Sequence, residues 1–226
     1  MCGKSGIISV MWRRTNWVFV MTQQDHDTWN PLSIHETSIL LKDFHGQWWI
    51  AGGYAIELFV GRPIRSHGDM DILIKRETQT EIQDYLSSRS WELYRATYPG
   101  LQKWEKAEFL TGRYRDIWCR PDSRSPWRLQ IMLLDTEGNE WVFKRDPNIR
   151  GKLTSMFRTS DAGLNYLSPE IQLLYKAKES TLDKDQIDFE LSVPLLDNQS
   201  RKWLLDQLTT RFPKGHKWID SLDRLS

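Results

Sequence analysis

The chain has 226 residues, a formal net charge of +1 and 27% charged residues. That length is enough for one large domain or two small ones with a substantial buried core. A net charge so close to zero argues against a long basic track for nucleic acid and against a polybasic membrane anchor. The two cysteines, Cys2 and Cys119, have no metal-ligand spacing and make no disulfide scaffold, which favours a reducing compartment, the cytoplasm.

Residues 1–32 are expected to be an extension ahead of the domain. Arg13 and Arg14 interrupt its apolar residues, whereas a secretory signal needs an unbroken apolar run. Met21 is an alternative start, so residues 1–20 need not belong to the native protein. The alternative interpretation is that the segment packs on the domain as an extra strand or helix. No later segment approaches the length needed to span a membrane.

The first part of the domain predicts helices and strands arranged around a Gly-Gly turn. Apolar residues at helical spacing begin after Ser33, and those after the turn end at Gly61, which suits a left-handed cap. A third helix is expected to begin at Thr78, with Glu81 as its capping-box partner. The predicted elements are a helix at 33–44, a strand at 47–50, a helix at 54–61, a strand at 69–75 and a helix at 78–89.

The rest of the chain is first rich in strands and then rich in helices. Four candidate strands are separated by turn residues, at 91–98, 114–120, 127–135 and 140–145. Three candidate helices follow, at 168–180, 184–196 and 200–212. These patterns predict an α/β (α+β) fold, in which a mixed sheet flanked by helices spans residues 33–150 and a C-terminal helical unit spans residues 151–226.

Two carboxylates, Asp69 and Asp71, stand where an apolar strand opens. Residues two apart on a strand point to the same face, so these side chains are expected side by side. Mg²⁺ prefers such oxygen ligands, and a pair of metal ions can clamp both oxygens of a phosphoryl-type displacement. Gly52 and Gly53, just before a short helix, offer backbone N–H groups to a phosphate. Each motif alone is common in turns; the combination indicates a nucleotide site.

The stretch at residues 51–72, "AGGYAIELFVGRPIRSHGDMDI", resembles the nucleotidyltransferase superfamily related to polymerase β. Within it, the stretch is most similar to the aminoglycoside 2″-adenylyltransferase-like group, with lincosamide nucleotidyltransferases as further relatives. The pattern of that group runs Gly-Gly-x-Ala, a short helix, Gly-Arg, Thr-Arg-x-His and Asp-x-Asp. Ile64 stands where the group usually has Thr, which leaves the charged positions intact. Weaker similarity continues through residues 117–135, 141–147 and 167–178.

The resemblance implies a mixed-sheet nucleotidyltransferase core and transfer of a nucleoside monophosphate, AMP in the first instance, to a hydroxyl of a small molecule. Asp69 and Asp71 would hold Mg²⁺ in a two-metal site, and Gly52 and Gly53 would cradle the triphosphate. A third carboxylate is expected as metal ligand or base. Asp135 is preferred because it ends an apolar strand, and Asp116 is the alternative.

Three further residues are expected to bind the nucleotide. Arg65 and His67 stand beside the two acids, and His67 would either orient Asp69 or contact a phosphate. Lys176 lies on a helix of the C-terminal unit and would reach the triphosphate; its alternative is a surface lysine whose stem covers apolar neighbours.

The favoured hypothesis is a transferase that acts on a small hydroxylated acceptor, and an aminoglycoside-like antibiotic is one class of such acceptors. Two alternative hypotheses remain. The first is a transferase of the same fold that acts on a protein or RNA end, although the low net charge argues against long nucleic acid as a partner. The second is a catalytically silent nucleotide-binding relative. No membrane partner is expected.

Overall fold

The computed structural model describes residues 28–97 and 100–225, so the expected extension lies outside the described residues up to residue 27, as do Cys2 and Met21. Within the described part, eleven strands follow one another along the chain. They are β1 (Trp49–Ile50), β2 (Asp71–Lys75), β3 (Glu92–Thr97), β4 (Gly100–Lys103), β5 (Asp116–Arg120), β6 (Leu129–Leu134), β7 (Thr136–Glu137), β8 (Glu140–Val142), β9 (Arg150–Lys152), β10 (Phe157–Thr159) and β11 (Asn165–Leu167).

The strands form one large sheet and one small one. The large sheet has eight strands in the order β10-β11-β1-β2-β6-β5-β3-β4, and the small one has the order β7-β8-β9. The large sheet is mixed, because β2 pairs with β6 in parallel while β1 and β5 run antiparallel to their neighbours β2 and β6. The predicted α/β class with a mixed sheet is confirmed.

Eight α-helices surround the large sheet in the described part of the chain. They are α1 (Ile34–Leu40), α2 (Gly52–Val60), α3 (Gln79–Ser87), α4 (Leu153–Met156), α5 (Pro169–Lys176), α6 (Asp183–Ser192), α7 (Asn198–Arg211) and α8 (Lys217–Asp223). None of these helices combines the length and the apolar run that a membrane crossing requires.

Helix ends follow the local signals with one exception. Ser33 and Glu36 form the full capping box at the start of α1, and Gly61 ends α2 with φ +78°. The predicted capping box at Thr78 is wrong, because a 3₁₀ turn (Arg76–Thr78) precedes α3 and the Thr78 hydroxyl donates to the carbonyl of Lys75 at 3.0 Å. The Thr78 side chain therefore points back to the preceding turn and makes no capping hydrogen bond to α3.

Apolar side chains pack on both faces of the large sheet. One face carries a cluster with Ile72 and Ile131 that also includes Ile82 of α3. The other face carries a cluster in which Leu73 joins apolar residues of α2 and of the C-terminal helices, Trp218 among them. A strand that is buried on both faces has a continuous run of apolar residues, and this run is why the sequence predicted β2.

Residues 157–167 belong to the large sheet, although the sequence places them in a helical unit. They form β10 and β11, and β11 pairs in parallel with β1 through Tyr166 and Ile50. Strands of three residues show no measurable alternation, so their pairing was not evident in the sequence. The division of the chain at residue 150 stays a prediction.

Candidate active site

Strand pairing brings three polar side chains to one face of the large sheet. Asp71 opens β2 and lies opposite Gln130 of β6, while Asp116 opens β5 and lies opposite Met132, two residues further along β6. Cross-strand partners share a face, and so do residues two apart. Asp71, Gln130 and Asp116 therefore point to the same side, and the Gln130 amide lies 3.4 Å from an oxygen of Asp116.

The two glycines predicted to cradle phosphate are packed closely against side chains of the site. A Cβ at Gly52 would lie 2.1 Å from Oδ2 of Asp71, and Gly52 itself has φ +66°. A Cβ at Gly53 would lie 2.3 Å from Nδ1 of His67 and 2.6 Å from the guanidinium of Arg65. Only residues without a side chain allow this close approach.

The Gly52 amide is already engaged by a side chain from the C-terminal half of the chain. It donates to Oε1 of Gln172, on α5, at 2.8 Å. Gln172 is buried, so this hydrogen bond fixes α5 against the start of α2. Sequence reasoning missed this residue, because a single glutamine within an apolar helix carries no recognisable pattern.

Asp71 is a buried carboxylate whose charge is only partly compensated. Its Oδ1 atom is buried and has no hydrogen-bond partner among the described residues. Burial and the negative charge of Asp69 raise the pKa of Asp71 to about 7, while Lys176 offsets part of the effect. Asp69 lies in the irregular segment before β2, so the two acids stand at the mouth of the strand and only Asp71 lies within it.

Asp135, the preferred third carboxylate, is held by two arginines. Arg76 and Arg115 both form ion pairs with it, and Arg76 also donates to the carbonyls of Leu110 and Tyr114. Asp135 lines the same cleft as Asp71, but its charge is already neutralised. Asp116 has no ion pair within the described ranges.

Arg65 and Lys176 are brought together by an acid that sequence reasoning missed. The guanidinium of Arg65 binds both oxygens of Asp188 at 2.9 Å, and the ammonium of Lys176 lies 2.8 Å from Asp188 and 3.2 Å from Asp185. Asp185 and Asp188 are buried and lie three apart on α6, hence on one helix face. Burial alone would raise the pKa of Asp188, but its bonds to Arg65 and Lys176 lower it.

His67 contacts a glutamate rather than the two aspartates. Its Nε2 lies 2.8 Å from Oε1 of Glu57, and its ring packs 4.2 Å from that of Tyr54. The same Glu57 oxygen accepts from the Ile64 amide at 2.9 Å. Glu57 thus fixes the loop that carries Arg65 and His67, a role that the sequence did not reveal.

A cleft of about 270 Å³ is lined by both glycines, by Arg65 and Lys176, and by the acids Asp69, Asp71, Asp116, Asp135 and Asp185. Four further cations line it without an ion-pair partner within residues 28–97 and 100–225: Lys144, Arg145, Lys178 and Lys184. Burial lowers the pKa of Lys144, and the charge of Asp116 opposes that shift. The cleft is therefore lined by both acidic and basic side chains.

The donor set fits a divalent cation only if further ligands come from elsewhere. Across the described residues, no group of three or more His, Cys, Asp or Glu side chains is arranged to enclose a metal ion. The unpartnered Oδ1 of Asp71 and the neighbouring Asp69 supply oxygen donors of the kind that Mg²⁺ prefers. Mg²⁺ usually keeps several water or phosphate oxygens as ligands, so two carboxylates from the protein are enough to bind it.

Comparison with known proteins gives a family match for part of the chain and solved structures with a similar fold. Residues 33–110 match the family described as Aminoglycoside-2″-adenylyltransferase. The structure of the lincosamide antibiotic adenylyltransferase LnuA with lincomycin bound is 14% identical, with a TM-score of 0.53, and the similarity covers 74% of this chain and 100% of that one. No curated protein sequence matches the chain.

A second similar protein is the antibiotic-resistance factor ANT(2″)-Ia. Its solution structure is 14% identical with a TM-score of 0.53, covering 80% of this chain and 91% of that one. Its crystal structure in complex with adenylyl-2″-tobramycin is 13% identical with a TM-score of 0.51, and the similarity covers 80% of this chain and 97% of that one. At such low sequence identity, the structural similarity establishes a shared fold and nothing more. The family match covers the segment that carries Gly52, Gly53 and both acids. The chain therefore shares the fold of these two adenylyltransferases, and its residues 33–110 match the aminoglycoside-2″-adenylyltransferase family.

Proposed function

We propose that the protein is a metal-dependent transferase that moves AMP from ATP to a hydroxyl group of a small molecule. The observation that carries this proposal is the carboxylate of Asp71, beside Asp69 in the cleft: its buried Oδ1 has no hydrogen-bond partner among the described residues, and its Oδ2 lies against Gly52. An isolated buried carboxylate is costly unless a cation neutralises it. A Mg²⁺–triphosphate complex supplies both the cation and the phosphate oxygens that complete its ligand shell.

Asp69 and Asp71 would hold the metal, and a third acid would take the proton of the acceptor hydroxyl. Bound Mg²⁺ would neutralise the charge that develops on the phosphate oxygens. Asp116 is the better third acid, because it shares a sheet face with Asp71 and has no ion pair within the described part. Asp135, which the sequence favoured, is held by Arg76 and Arg115.

The proposed reaction is a single displacement at the α-phosphorus. The acceptor hydroxyl oxygen forms a bond to that phosphorus while the bond to the bridging oxygen of the β-phosphate breaks, and pyrophosphate leaves with the electron pair. The carboxylate of Asp116 takes the hydroxyl proton as general base. Gln130, whose amide lies 3.4 Å from Asp116, orients that carboxylate.

The nucleotide would lie against the start of α2 and the helical wall. Gly52 and Gly53 stand at the helix N-terminus, directly against the side chains of Asp71 and Arg65. The ammonium group of Lys176 has three N–H donors, of which Asp185 and Asp188 engage two. Arg65 is held beside it by the same Asp188. Both cations are therefore positioned for the triphosphate. His67 acts by holding this loop in place.

The acceptor class rests on the relatives. The named neighbours carry lincomycin and adenylyl-2″-tobramycin, which favours a small hydroxylated acceptor, with an aminoglycoside-like antibiotic as one class to test. Similarity of fold does not fix the substrate.

Calorimetric titration with a non-hydrolysable ATP analogue tests the nucleotide site. We expect binding in Mg²⁺ that is lost in EDTA, and a loss of at least about tenfold in Asp71→Asn. Asp84→Asn, an exposed acid on α3, is the matched control and should bind like the wild type. Equal binding with and without Mg²⁺, or no binding of ATP, GTP, CTP and UTP analogues by the folded protein, would refute the proposal.

Pyrophosphate release assays with a panel of hydroxylated acceptors then separate the two candidate acids. Asp116→Asn should reduce turnover by about 10²–10⁴-fold with little change in stability, as expected for loss of a general base. Asp135→Asn should lower the unfolding midpoint, because it leaves Arg76 and Arg115 without their partner. The reverse pattern would assign the catalytic role to Asp135.

A further inference from the structure

A second groove opens beside the cleft and shares two of its residues. It has a volume of about 710 Å³ and shares Arg145 and Lys178 with the cleft. Its other wall carries Arg211 and Phe212 from the end of α7. Three cations thus line a space that shares two lining residues with the cleft of the proposed transfer.

Contacts other than ion pairs hold two of these cations in place. The Arg145 guanidinium donates to the carbonyl of Tyr175 at 2.8 Å. The Arg211 guanidinium lies 5.1 Å from the ring centroid of Phe212 and 5.4 Å from that of Phe143. Burial lowers the pKa of Arg145, and the charge of Arg211 lowers it further, so the two cations repel one another.

The charge of Asp185 offsets part of this repulsion, but no acid in the described part of the chain forms an ion pair with the three cations. Within the described ranges, Arg145, Lys178 and Arg211 form no ion pair, and the Nε atom of Arg211 is buried without a hydrogen-bond partner. Of the two acids in the groove, Asp146 accepts from the backbone and side chain of Asn148 at 3.0 Å, and Glu179 is exposed. A buried donor without a partner is costly, and a bound anion would remove that cost.

The acids of the cleft are also assigned to other partners. Asp135 is paired with two arginines, and Asp185 and Asp188 are paired with Lys176. Of the remaining carboxylates, Asp69 and Asp71 belong to the proposed metal site, and Asp116 is the proposed general base. No carboxylate that lines the cleft is left to bind the ammonium groups of a polycationic acceptor.

We infer that the acceptor carries an anionic group, a phosphate or a carboxylate, in addition to its hydroxyl, and that Arg145, Lys178 and Arg211 bind that group. This inference rests on the proposed transfer and names the class of its acceptor. The hydroxyl extends from the second groove towards Asp116, while the anionic group stays between the arginines. A polycationic acceptor is disfavoured because it would lie among like charges.

Anion binding to the nucleotide-loaded protein tests this inference. The protein is first saturated with Mg²⁺ and the non-hydrolysable ATP analogue, so that the triphosphate positions are filled. Inorganic phosphate and acetate are then titrated separately, which distinguishes the two sources of negative charge, and tobramycin is titrated as the polycation. We expect saturable binding of at least one anion, weakened by added salt, and none of tobramycin.

Two variants and one control locate the binding. Arg211→Gln should weaken anion binding by about tenfold while it binds the ATP analogue like the wild type. Lys178→Gln, whose side chain also lines the cleft, should weaken anion binding by about tenfold when the ATP analogue is saturating. Lys178 is exposed, so this variant remains informative if Arg211→Gln does not fold. Lys214→Gln, an exposed lysine beyond α7, should bind the anion unchanged.

Each result decides between the two proposals. Failure of phosphate and acetate to bind the loaded protein, equal binding by both variants, or binding of tobramycin would overturn the anionic acceptor and leave the nucleotide site standing. Failure of the ATP analogue to bind would overturn the proposed function itself. In that case, anion binding that is weakened by Arg211→Gln would still identify the groove as an anion site.

Discussion

At the scale of single residues, the site depends on how closely Asp71 approaches the backbone of Gly52. The carboxylate occupies the space of the missing Cβ, and its second oxygen remains unpartnered in a buried position. This arrangement stores an electrostatic cost in the free protein that a cation can remove. Two consequences can be measured without any knowledge of the acceptor.

The first concerns the two glycines that share a left-handed conformation. Gly52→Ala should destabilise the protein by about 2 kcal/mol or more and abolish nucleotide binding, because its Cβ would meet Asp71 at 2.1 Å. Gly163→Ala is a matched control, since Gly163 has φ +77° with nothing within 4 Å of its added Cβ. Urea unfolding of both variants gives the comparison. Equal losses of stability would mean that backbone strain alone matters and not the contact with Asp71.

The second is a dependence of stability on pH. The pKa of Asp71 rises from 3.8 to about 7 on folding, so the folded protein binds the proton more tightly than the unfolded chain does. The stability from this group is present at acidic pH and is lost as the pH rises to about 7. In EDTA at pH 8, Asp71→Asn should therefore raise Tm by roughly 3–6 °C, with a smaller effect at pH 5. Thermal scans in which the variant is less stable than the wild type at pH 8 would contradict this.

At the scale of elements, α6 joins the loop after α2 to α5 through buried charges. Asp188 is fully buried and binds both Arg65 and Lys176, while Asp185 adds a second contact to Lys176. Charged pairs of this kind contribute little net stability but are costly to break, because they leave an uncompensated charge. The helix thus fixes the position of two cations at the cleft.

Removing that acid should therefore affect both folding and binding. Asp188→Asn should lower the free energy of unfolding by about 3–5 kcal/mol, since Arg65 and Lys176 lose their shared partner. Glu190→Gln, on the exposed side of the same helix, should change it little. Denaturant unfolding at pH 7 measures both. A variant as stable as the wild type would show that the two arms of this network are independent of Asp188.

At the scale of the whole molecule, the C-terminal third completes the sheet as well as the cleft. β11 pairs with β1, and Gln172 of α5 binds the amide of Gly52. Apolar residues of α5, α7 and α8 share one cluster with Ile56 of α2. The parts before and after residue 150 are therefore connected by hydrogen bonds and by a common core.

This connection predicts the behaviour of a shortened chain. A fragment of residues 1–150 lacks β11, one of the two partners of β1, and more than half of the cluster around α2, so it should not unfold cooperatively. Circular dichroism and limited proteolysis of the fragment, beside the full chain, test this. A fragment that folds and binds the ATP analogue would instead support a division at residue 150.

The sequence by itself determined the parts that are local. The Gly-Gly turn, the cap at Gly61, the apolar β2 strand and the pair of Asp69 and Asp71 all lie within one short segment, so composition and spacing predicted them. The most specific motif spans only about twenty residues. A resemblance to nucleotidyltransferases could be stated from it alone.

Only the tertiary structure decided which distant residues meet. The partners of Arg65, Lys176 and Gly52 lie on α5 and α6, and the relation of Asp116 to Asp71 depends on the pairing of β5 and β6 with β2. Strand order and helix docking follow from the burial of apolar faces across the whole chain, which no local pattern encodes. Asp135 was expected at the site because it ends a strand, and its two arginines became evident only when β2, β5 and β6 were side by side.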